Sequence, residues 1–200
     1  MINLPNPHCI KLHLPDADIV YFPNFFSKMV ADNLHDSFLK NTPWQQDNIK
    51  VFGKVHAQPR LTALFGDGTK TLSYSNITMH PHFWTDDLLT IKNSLNTIVS
   101  APFNTVLLNC YRDGRDSNGW HADDEKYLGQ NPVIASVTFG QERYFHLKHN
   151  LKDIPTQKLL LEHGSVLIMQ GETQHYWKHQ IPKTAKLVSP RINLTFRVVL

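Results

Sequence analysis

Polar and apolar residues alternate without a break in the stretch Arg191-Ile192-Asn193-Leu194-Thr195-Phe196-Arg197-Val198. Successive side chains of a β-strand point to opposite faces, so this alternation predicts a strand. Four apolar side chains would fall on one face. The other face would carry the polar residues Arg191, Asn193, Thr195 and Arg197.

Residues 105–112 alternate in the same way, with Leu108 and Cys110 on one predicted face and Leu107, Asn109 and Tyr111 on the other. Two such strands side by side would line a small polar cavity. Arginine gives a planar, permanently charged clamp for a carboxylate, and Tyr and Asn add directed hydrogen-bond donors. The combination suits a dicarboxylate ligand, although a solvated outer strand would show the same alternation.

Short strand-like segments separated by Gly, Pro and Asp fill the second half of the chain. Such spacing is typical of a β-sandwich or barrel. Two helices are predicted before them: residues 27–38, with Ser27 as N-cap, and a helix after Thr85 with a Leu88, Ile91, Leu95 and Ile98 stripe. We therefore expect a mainly β fold with N-terminal helices and a jelly-roll (double-stranded β-helix) core. The predicted strands cover residues 105–112, 132–139, 143–149, 158–161, 165–170, 175–181 and 191–200.

Length and composition agree with one globular domain over residues 1–200. We expect residues 1–100 to supply helical support and residues 101–200 to form the jelly-roll core. The net charge of +3 permits phosphate contacts but does not require them.

Cys9 and Cys110 form no CxxC pair, which argues against a disulfide framework. No apolar run is long enough to span a bilayer, so we expect a protein of the cytoplasm, or of the nucleus if the source is eukaryotic. We also expect a monomer.

A candidate metal motif is Trp120-His121-Ala122-Asp123, directly after a turn-rich loop. In an extended segment, His-x-Asp places an imidazole and a carboxylate on the same side. A second, distant His would complete a facial triad, which leaves three positions on Fe(II) open. His163, His175 and His179 are all candidates, and His175 would share a strand face with His179, so spacing alone does not choose between them.

Six segments of the chain, in order, resemble the core of AlkB-family dioxygenases, in the branch that contains the animal DNA-repair homologues. The resemblance covers roughly residues 50–200, and its motifs together are far more specific than a single His-x-Asp. The segments are Leu108-Asn109-Cys110-Tyr111-Arg112-Asp113-Gly114, His121-Ala122-Asp123-Asp124-Glu125, Ile134-Ala135-Ser136-Val137-Thr138-Phe139-Gly140, His163-Gly164-Ser165-Val166-Leu167-Ile168-Met169, Trp177-Lys178-His179-Gln180-Ile181-Pro182 and Pro190-Arg191-Ile192-Asn193-Leu194-Thr195-Phe196-Arg197.

The resemblance implies that His121, Asp123 and His179 bind iron and are the catalytic centre. It implies that 2-oxoglutarate is the cosubstrate, with the final Arg of the last motif on one carboxylate and the earlier Arg near the other. The cosubstrate residues would be Asn109, Tyr111, Arg191, Asn193, Thr195 and Arg197. The family reaction uses Fe(II), O₂ and 2-oxoglutarate to hydroxylate a methyl group on a base nitrogen, which then leaves as formaldehyde.

The resemblance makes residues 1–100 a nucleotide-recognition segment as well as a helical support, and residues 101–200 the catalytic core. The first half of the chain carries most of the residues that it assigns to the substrate. Val51-Phe52-Gly53-Lys54, followed by Pro59-Arg60, resembles the hairpin with which the duplex-repairing branch inserts an aromatic ring into the base stack. Tyr74-Ser75 matches the pair that stacks on the flipped base. Asp124 and Glu125, beside the metal motif, are the acids best placed to attract a cationic base. The alternative for Phe52 is a place in the core.

The resemblance therefore predicts a nucleic-acid demethylase that repairs 1-methyladenine- and 3-methylcytosine-type lesions in DNA. The alternatives are an RNA demethylase and a hydroxylase of another substrate with the same core. A metal-free nucleic-acid-binding module would not need the Arg191–Arg197 face, and a structural jelly roll would need neither that face nor the hairpin.

Overall fold

The computed structural model describes residues 8–51, 53–68, 72–74 and 77–200. The helices are α1 (Lys28–Asn41), α2 (Asp86–Leu95) and the one-turn α3 (Thr173–Tyr176). The strands are β1 (Ile10–Leu12), β2 (Asp18–Phe22), β3 (Asn48–Val51), β4 (Lys54–Ala57), β5 (Leu61–Gly66), β6 (Leu72–Tyr74), β7 (Ile77–Met79), β8 (Thr105–Tyr111), β9 (Asn118–His121), β10 (Ile134–Gly140), β11 (Arg143–His149), β12 (Gln157–Leu161), β13 (Ser165–Gln170), β14 (Trp177–Ile181) and β15 (Arg191–Arg197).

Most of the strands form two antiparallel sheets. The major sheet has the order β1-β2-β13-β10-β15-β8-β5, and the minor sheet has the order β12-β11-β14-β9. Two hairpins, β3–β4 and β6–β7, stand apart from both sheets. The mainly β prediction is confirmed, and the major sheet takes strands from both halves of the chain.

Both helices begin where the sequence predicts. The Ser27 hydroxyl accepts a hydrogen bond from the Val30 N–H, and the Thr85 hydroxyl accepts one from the Leu88 N–H. The last member of the apolar stripe predicted for α2, Ile98, lies beyond the helix, which ends at Leu95. Ile98 follows in a turn and still packs against the core.

The two faces of β15 meet different surroundings. Ile192, Leu194 and Phe196 are fully buried in the core beneath α1 and α2. The polar face points between the two sheets, into a cavity. Truncation of a buried Phe such as Phe196 typically costs about 3–5 kcal/mol of stability, so this strand anchors the fold while it lines the cavity.

The predicted strand over residues 175–181 begins two residues late, at Trp177. Residues 173–176 instead form α3, because the Thr173 hydroxyl accepts from the Asp18 N–H at 2.9 Å and donates to the Gln170 carbonyl at 2.6 Å. His175 therefore does not share a strand face with His179. The other strand boundaries shift by at most three residues. In the described residues, none of the helices is long and apolar enough to cross a bilayer.

Candidate active site

Two histidines and an aspartate meet between the ends of β9 and β14. His121 pairs directly across from His179 in the minor sheet, and Asp123 follows His121 after one residue. One ligand atom from each of the three side chains lies within 4.8 Å of the others. Across the described ranges, this is the single group of three or more His, Cys, Asp or Glu side chains that could hold a metal ion.

Hydrogen bonds set the orientation of the His121 ring. Its Nδ1 lies 2.7 Å from the Gly119 carbonyl oxygen, so Nδ1 carries the proton and donates. Its Nε2 lies 3.2 Å from the Asn118 amide nitrogen and is therefore an acceptor. In this tautomer the Nε2 lone pair, which points to the Asn118 amide, is the one that a metal would take in place of that hydrogen bond.

The other histidine of the cluster, His179, is buried. Burial, together with the neighbouring His121, lowers the pKa of His179 to about 3. Its imidazole is therefore neutral at neutral pH, which is the form that binds metals.

Asp123 is held from two sides. Its Oδ1 accepts a hydrogen bond from Arg197 Nη2 at 2.6 Å, and its backbone N–H donates to Gln174 Oε1 at 2.9 Å. Burial alone would raise the pKa of this carboxyl, but Arg197 and the two histidines together keep it below its ordinary value. The carboxylate is therefore ionised, as a metal ligand must be.

The cluster opens into a cavity of about 400 Å³. The polar faces of β8 and β15 line it as predicted, because register places Arg191 opposite Tyr111 and Asn193 opposite Asn109. Every residue predicted to bind the cosubstrate lines this one cavity: Asn109, Tyr111, Arg191, Asn193, Thr195 and Arg197.

Arg191 is the strongest sign of an anionic ligand. It is 1% exposed, and its guanidinium lies over the Tyr111 ring, 5.2 Å from the centroid. Nη2 donates to the Thr138 hydroxyl, but Nε and Nη1 have no partner. Burial lowers its pKa to about 10, so it stays charged at neutral pH. A buried cation with free donors and no carboxylate within 4 Å in the described part of the chain fits a carboxylate ligand.

The predicted substrate residues are placed differently from one another. Glu125 lines the cavity, and its Oε2 is buried without a hydrogen-bond partner. Asp124 is exposed and is not among the lining residues. Arg60 lies inside the cavity wall and is only 6% exposed.

The hairpin β3–β4 is present where the sequence predicts an aromatic finger. Gly53 has φ +79°, a left-handed conformation that favours glycine, and Lys54 is exposed. Phe52 and Ser75 lie outside the described residues, as does the side chain of Tyr74. The predictions for these three stay predictions.

The two competing histidines are elsewhere. His163 Nδ1 accepts from the Gly140 N–H at 2.8 Å, and its Nε2 lies 3.1 Å from Asp32. His175 Nε2 lies 2.8 Å from the Asn131 amide oxygen. Neither belongs to the metal-type cluster.

Several lining residues were not predicted. Asn118 lies in the turn-rich loop just before the His-x-Asp motif, and it could have been found from that position. Gln174, which is not among the lining residues, supports Asp123 from a helix that the sequence does not predict. The other unpredicted polar lining residues are Gln58, Tyr127, Ser136 and Gln180.

Comparison with known proteins agrees with this geometry. A family model described as the 2OG-Fe(II) oxygenase superfamily matches residues 18–197. The chain is 39% identical over 186 residues to a Bos taurus protein named alpha-ketoglutarate-dependent dioxygenase alkB homolog 3, covering 88% of this chain and 64% of that relative. It is 36% identical over 185 residues to the Homo sapiens protein named DNA oxidative demethylase ALKBH2, covering 88% of this chain and 71% of that relative.

The chain thus spans slightly less than two thirds of the bovine relative's length. A solved structure titled "The structure of OsALKBH1" superposes with a TM-score of 0.59 at 16% identity, covering 94% of this chain and 100% of that one. That likeness concerns the fold alone. The family model and the two relatives show that the chain belongs to the 2OG-Fe(II) oxygenase superfamily, within its AlkB family.

Proposed function

We propose that this protein oxidatively dealkylates N-alkylated bases of the 1-methyladenine and 3-methylcytosine type in DNA, as a single jelly-roll oxygenase domain. The observation that carries the proposal is one cavity that combines a His121–Asp123–His179 cluster with the buried, half-satisfied Arg191. The printed names of relatives, a DNA oxidative demethylase among them, support this substrate class.

His121, Asp123 and His179 would hold Fe(II) on one side and leave the cavity side free. When bound, Fe(II), O₂ and 2-oxoglutarate supply the oxidation, whose products are succinate, CO₂, formaldehyde from the methyl group and the unmodified base. Asp123 is ionised and fixed by Arg197, so the protein holds the ligands in place without rearrangement.

The polar face of β15 would orient 2-oxoglutarate. Arg197 lies at the Asp123 end of the strand, where the metal-binding end of the cosubstrate belongs. Arg191, opposite Tyr111, would clamp the remote carboxylate with its two free donors. Thr195 donates to the Asn193 amide oxygen at 3.1 Å, which keeps the wall between them rigid.

Glu125 would recognise the damaged base. Glu125 lines the cavity, and its Oε2 is a buried acceptor without a hydrogen-bond partner within 3.5 Å in the described structure. A base made cationic by N-alkylation, with its exocyclic N–H donors, satisfies both the charge and the hydrogen bond. An unmodified, neutral base would satisfy less, which favours the lesion.

The test is an assay of methylated oligonucleotides with Fe(II) and 2-oxoglutarate, comparing DNA with RNA and single with double strands. We expect formaldehyde and restored base to form in equal amounts, most rapidly on DNA. Faster turnover of RNA would favour an RNA demethylase. No 2-oxoglutarate-dependent demethylation of any of the four substrates would contradict the proposal and favour a hydroxylase of another substrate.

Exposed lysines on the outer face of the minor sheet favour a polyanionic substrate such as nucleic acid. Register places Lys148 directly opposite Lys178 and His146 opposite Lys158. The three lysines are exposed, and no carboxylate within the described residues comes within 4 Å of them. Burial and Lys158 lower the pKa of His146. Like charges opposite each other destabilise a sheet, and phosphate groups would compensate them. We call the three lysines the outer cationic face; His146, whose pKa is lowered, adds no charge to it at neutral pH.

We predict that Lys148→Gln with Lys178→Gln weakens oligonucleotide binding and flattens its salt dependence. Each lost contact to duplex phosphate should reduce the slope of log K against log salt by about 0.9. The measurement is fluorescence anisotropy over a salt series. The control for net charge is Lys28→Gln with Lys40→Gln on α1, which packs on the face of the major sheet that is turned away from the cavity; Lys28 is paired with Asp32. If the two double variants lose equal affinity for the oligonucleotide, the effect comes from net charge alone. That result would contradict the assignment of phosphate contacts to Lys148 and Lys178.

Phe52→Ala is expected to lower activity strongly on methylated duplex DNA and weakly on single strands. The hairpin pairs Val51 with Lys54, and the sequence puts an aromatic residue between them. Extruding a base from a duplex costs a few kcal/mol, and a wedge that fills the gap offsets part of that cost. A single strand leaves no gap to fill.

Val55→Ala, at an exposed position of the same hairpin, is the control for this variant. Thermal melting beside the two assays separates a wedge from a core residue. A core Phe would cost about 3–5 kcal/mol of stability on truncation and would reduce both activities together. That result would contradict the proposal that Phe52 fills the gap left by the extruded base.

A further inference from the structure

Arg60 is a buried arginine in the cavity wall whose bonds are all to neutral groups. Its Nε donates to Asn109 Oδ1 at 2.7 Å, and its Nη1 donates to the Ser117 carbonyl at 3.4 Å. It is 6% exposed, and it forms no ion pair with any described carboxylate. Within the described residues, its contacts are therefore hydrogen bonds and not a salt bridge.

The bond to Asn109 fixes which way that amide points. A guanidinium has donors only, so it accepts no hydrogen bond from an amide NH₂ group. Asn109 must therefore keep its oxygen towards Arg60 and turn its NH₂ group away. Asn109 lies on the cavity face of β8, and its Nδ2 has no hydrogen-bond partner among the described residues.

The other amide on this wall behaves differently. Asn193 Nδ2 donates to the Ser136 hydroxyl and the Val137 carbonyl, and its oxygen accepts from Thr195. Both ends of that amide are used within the protein. Asn109 thus keeps two free N–H donors on the cavity wall that also carries Arg191.

Arg60 also connects this wall to the segment that leads into the metal-type cluster. The Ser117 N–H donates to the Pro59 carbonyl at 2.8 Å, while the Ser117 carbonyl accepts from Arg60. Ser117 immediately precedes β9, the strand that ends at His121. One side chain therefore fixes the relative position of β8 and the loop before β9.

We propose that Arg60 is a positioning residue for the cosubstrate: it fixes the Asn109 amide so that its NH₂ group donates to a carboxylate of 2-oxoglutarate. This rests on the proposed function for the identity of the dicarboxylate. It differs from a direct role in binding substrate phosphate, because Nε and Nη1 are already engaged and the side chain is buried. A positioning role predicts that Arg60 variants lose affinity for 2-oxoglutarate, whereas a phosphate-binding role predicts that they lose affinity for the oligonucleotide.

The experiment measures binding without turnover. Titration calorimetry of 2-oxoglutarate into Mn(II)-loaded protein gives the cosubstrate affinity, and fluorescence anisotropy without 2-oxoglutarate gives the affinity for a methylated oligonucleotide. Arg60→Met is expected to weaken 2-oxoglutarate binding about tenfold, the scale of one charge-assisted hydrogen bond, and to leave oligonucleotide affinity unchanged. Asn109→Ala should weaken it similarly.

The double variant should lose little more than either single one, because both changes remove the same donor. Arg60→Lys should fall between wild type and Arg60→Met, since it keeps one donor but loses the fork, and it replaces Arg60→Met if that variant does not fold. Weaker oligonucleotide binding with unchanged 2-oxoglutarate binding, or additive losses, would overturn the proposal. Absence of 2-oxoglutarate binding to the wild-type protein would overturn the proposed function with it, whereas wild-type binding that Arg60 variants do not alter would overturn this inference alone.

Discussion

Replacing Asp123 with alanine is expected to abolish turnover and to reduce bound metal to a trace. Asp123 is the sole carboxylate of the three-residue cluster, and its ionised form supplies the negative charge that two neutral imidazoles lack. Metal content of the purified protein and formaldehyde release are the measurements. Normal values for both would refute the metal assignment.

The structure also shows how to separate chemistry from folding in this experiment. Alanine leaves the buried guanidinium of Arg197 without its partner, which typically costs about 3–5 kcal/mol. Asp123→Asn keeps the shape and an acceptor for Arg197 and removes the charge, so it should lose metal with a smaller fall in melting temperature. His175→Ala, at an exposed histidine outside the cluster, is the matched control and should keep its metal.

Arg191→Met is expected to weaken 2-oxoglutarate binding at least about a hundredfold, because two charge-assisted hydrogen bonds are lost from a buried site. Without ligand, the melting temperature of the Arg191→Met variant should equal or exceed that of the ligand-free wild type. A buried, unpaired cation is unfavourable, and a methionine of similar volume removes that cost. Calorimetry and thermal melting on the same preparations test both expectations.

Arg143 provides the contrast, since it is another buried arginine without an ion pair in the described structure. Its donors are already used by the carbonyls of Asp113, Asp116 and Pro182. Arg143→Met should therefore lower the melting temperature by freeing two loops. If Arg191→Met also lowers the melting temperature and leaves 2-oxoglutarate affinity intact, then Arg191 is a structural residue as well.

The strands around the cavity could be predicted because their signal is local. Alternation with a period of two assigns each residue of 191–197 and 105–111 to a face, and the structure keeps both assignments. Helix starts were equally predictable, since Ser27 and Thr85 act through groups three residues away. The resemblance to the AlkB family added the choice of His179 over its competitors.

Long-range contacts account for what the sequence did not predict. The helical turn that removes His175 from the strand depends on a hydrogen bond between Thr173 and Asp18, 155 residues apart. Strand β2 itself was not predicted, and it exists because it completes the major sheet beside β13. The bond from Arg60 to Asn109 likewise joins residues that no local pattern connects.

Strand β15 carries residues for the fold and residues for the chemistry at alternating positions. Its odd-numbered residues from Arg191 to Arg197 face the cavity, and its even-numbered residues fill the core. Substitutions can therefore accumulate on one face with little effect on the other, so affinity for the cosubstrate and thermal tolerance can diverge independently among descendants of this chain. A single-residue insertion or deletion in the strand would exchange the two sets, burying guanidinium groups in the core and turning Phe196 towards the cavity. Lineages of this protein should vary in this strand by replacement and never by length.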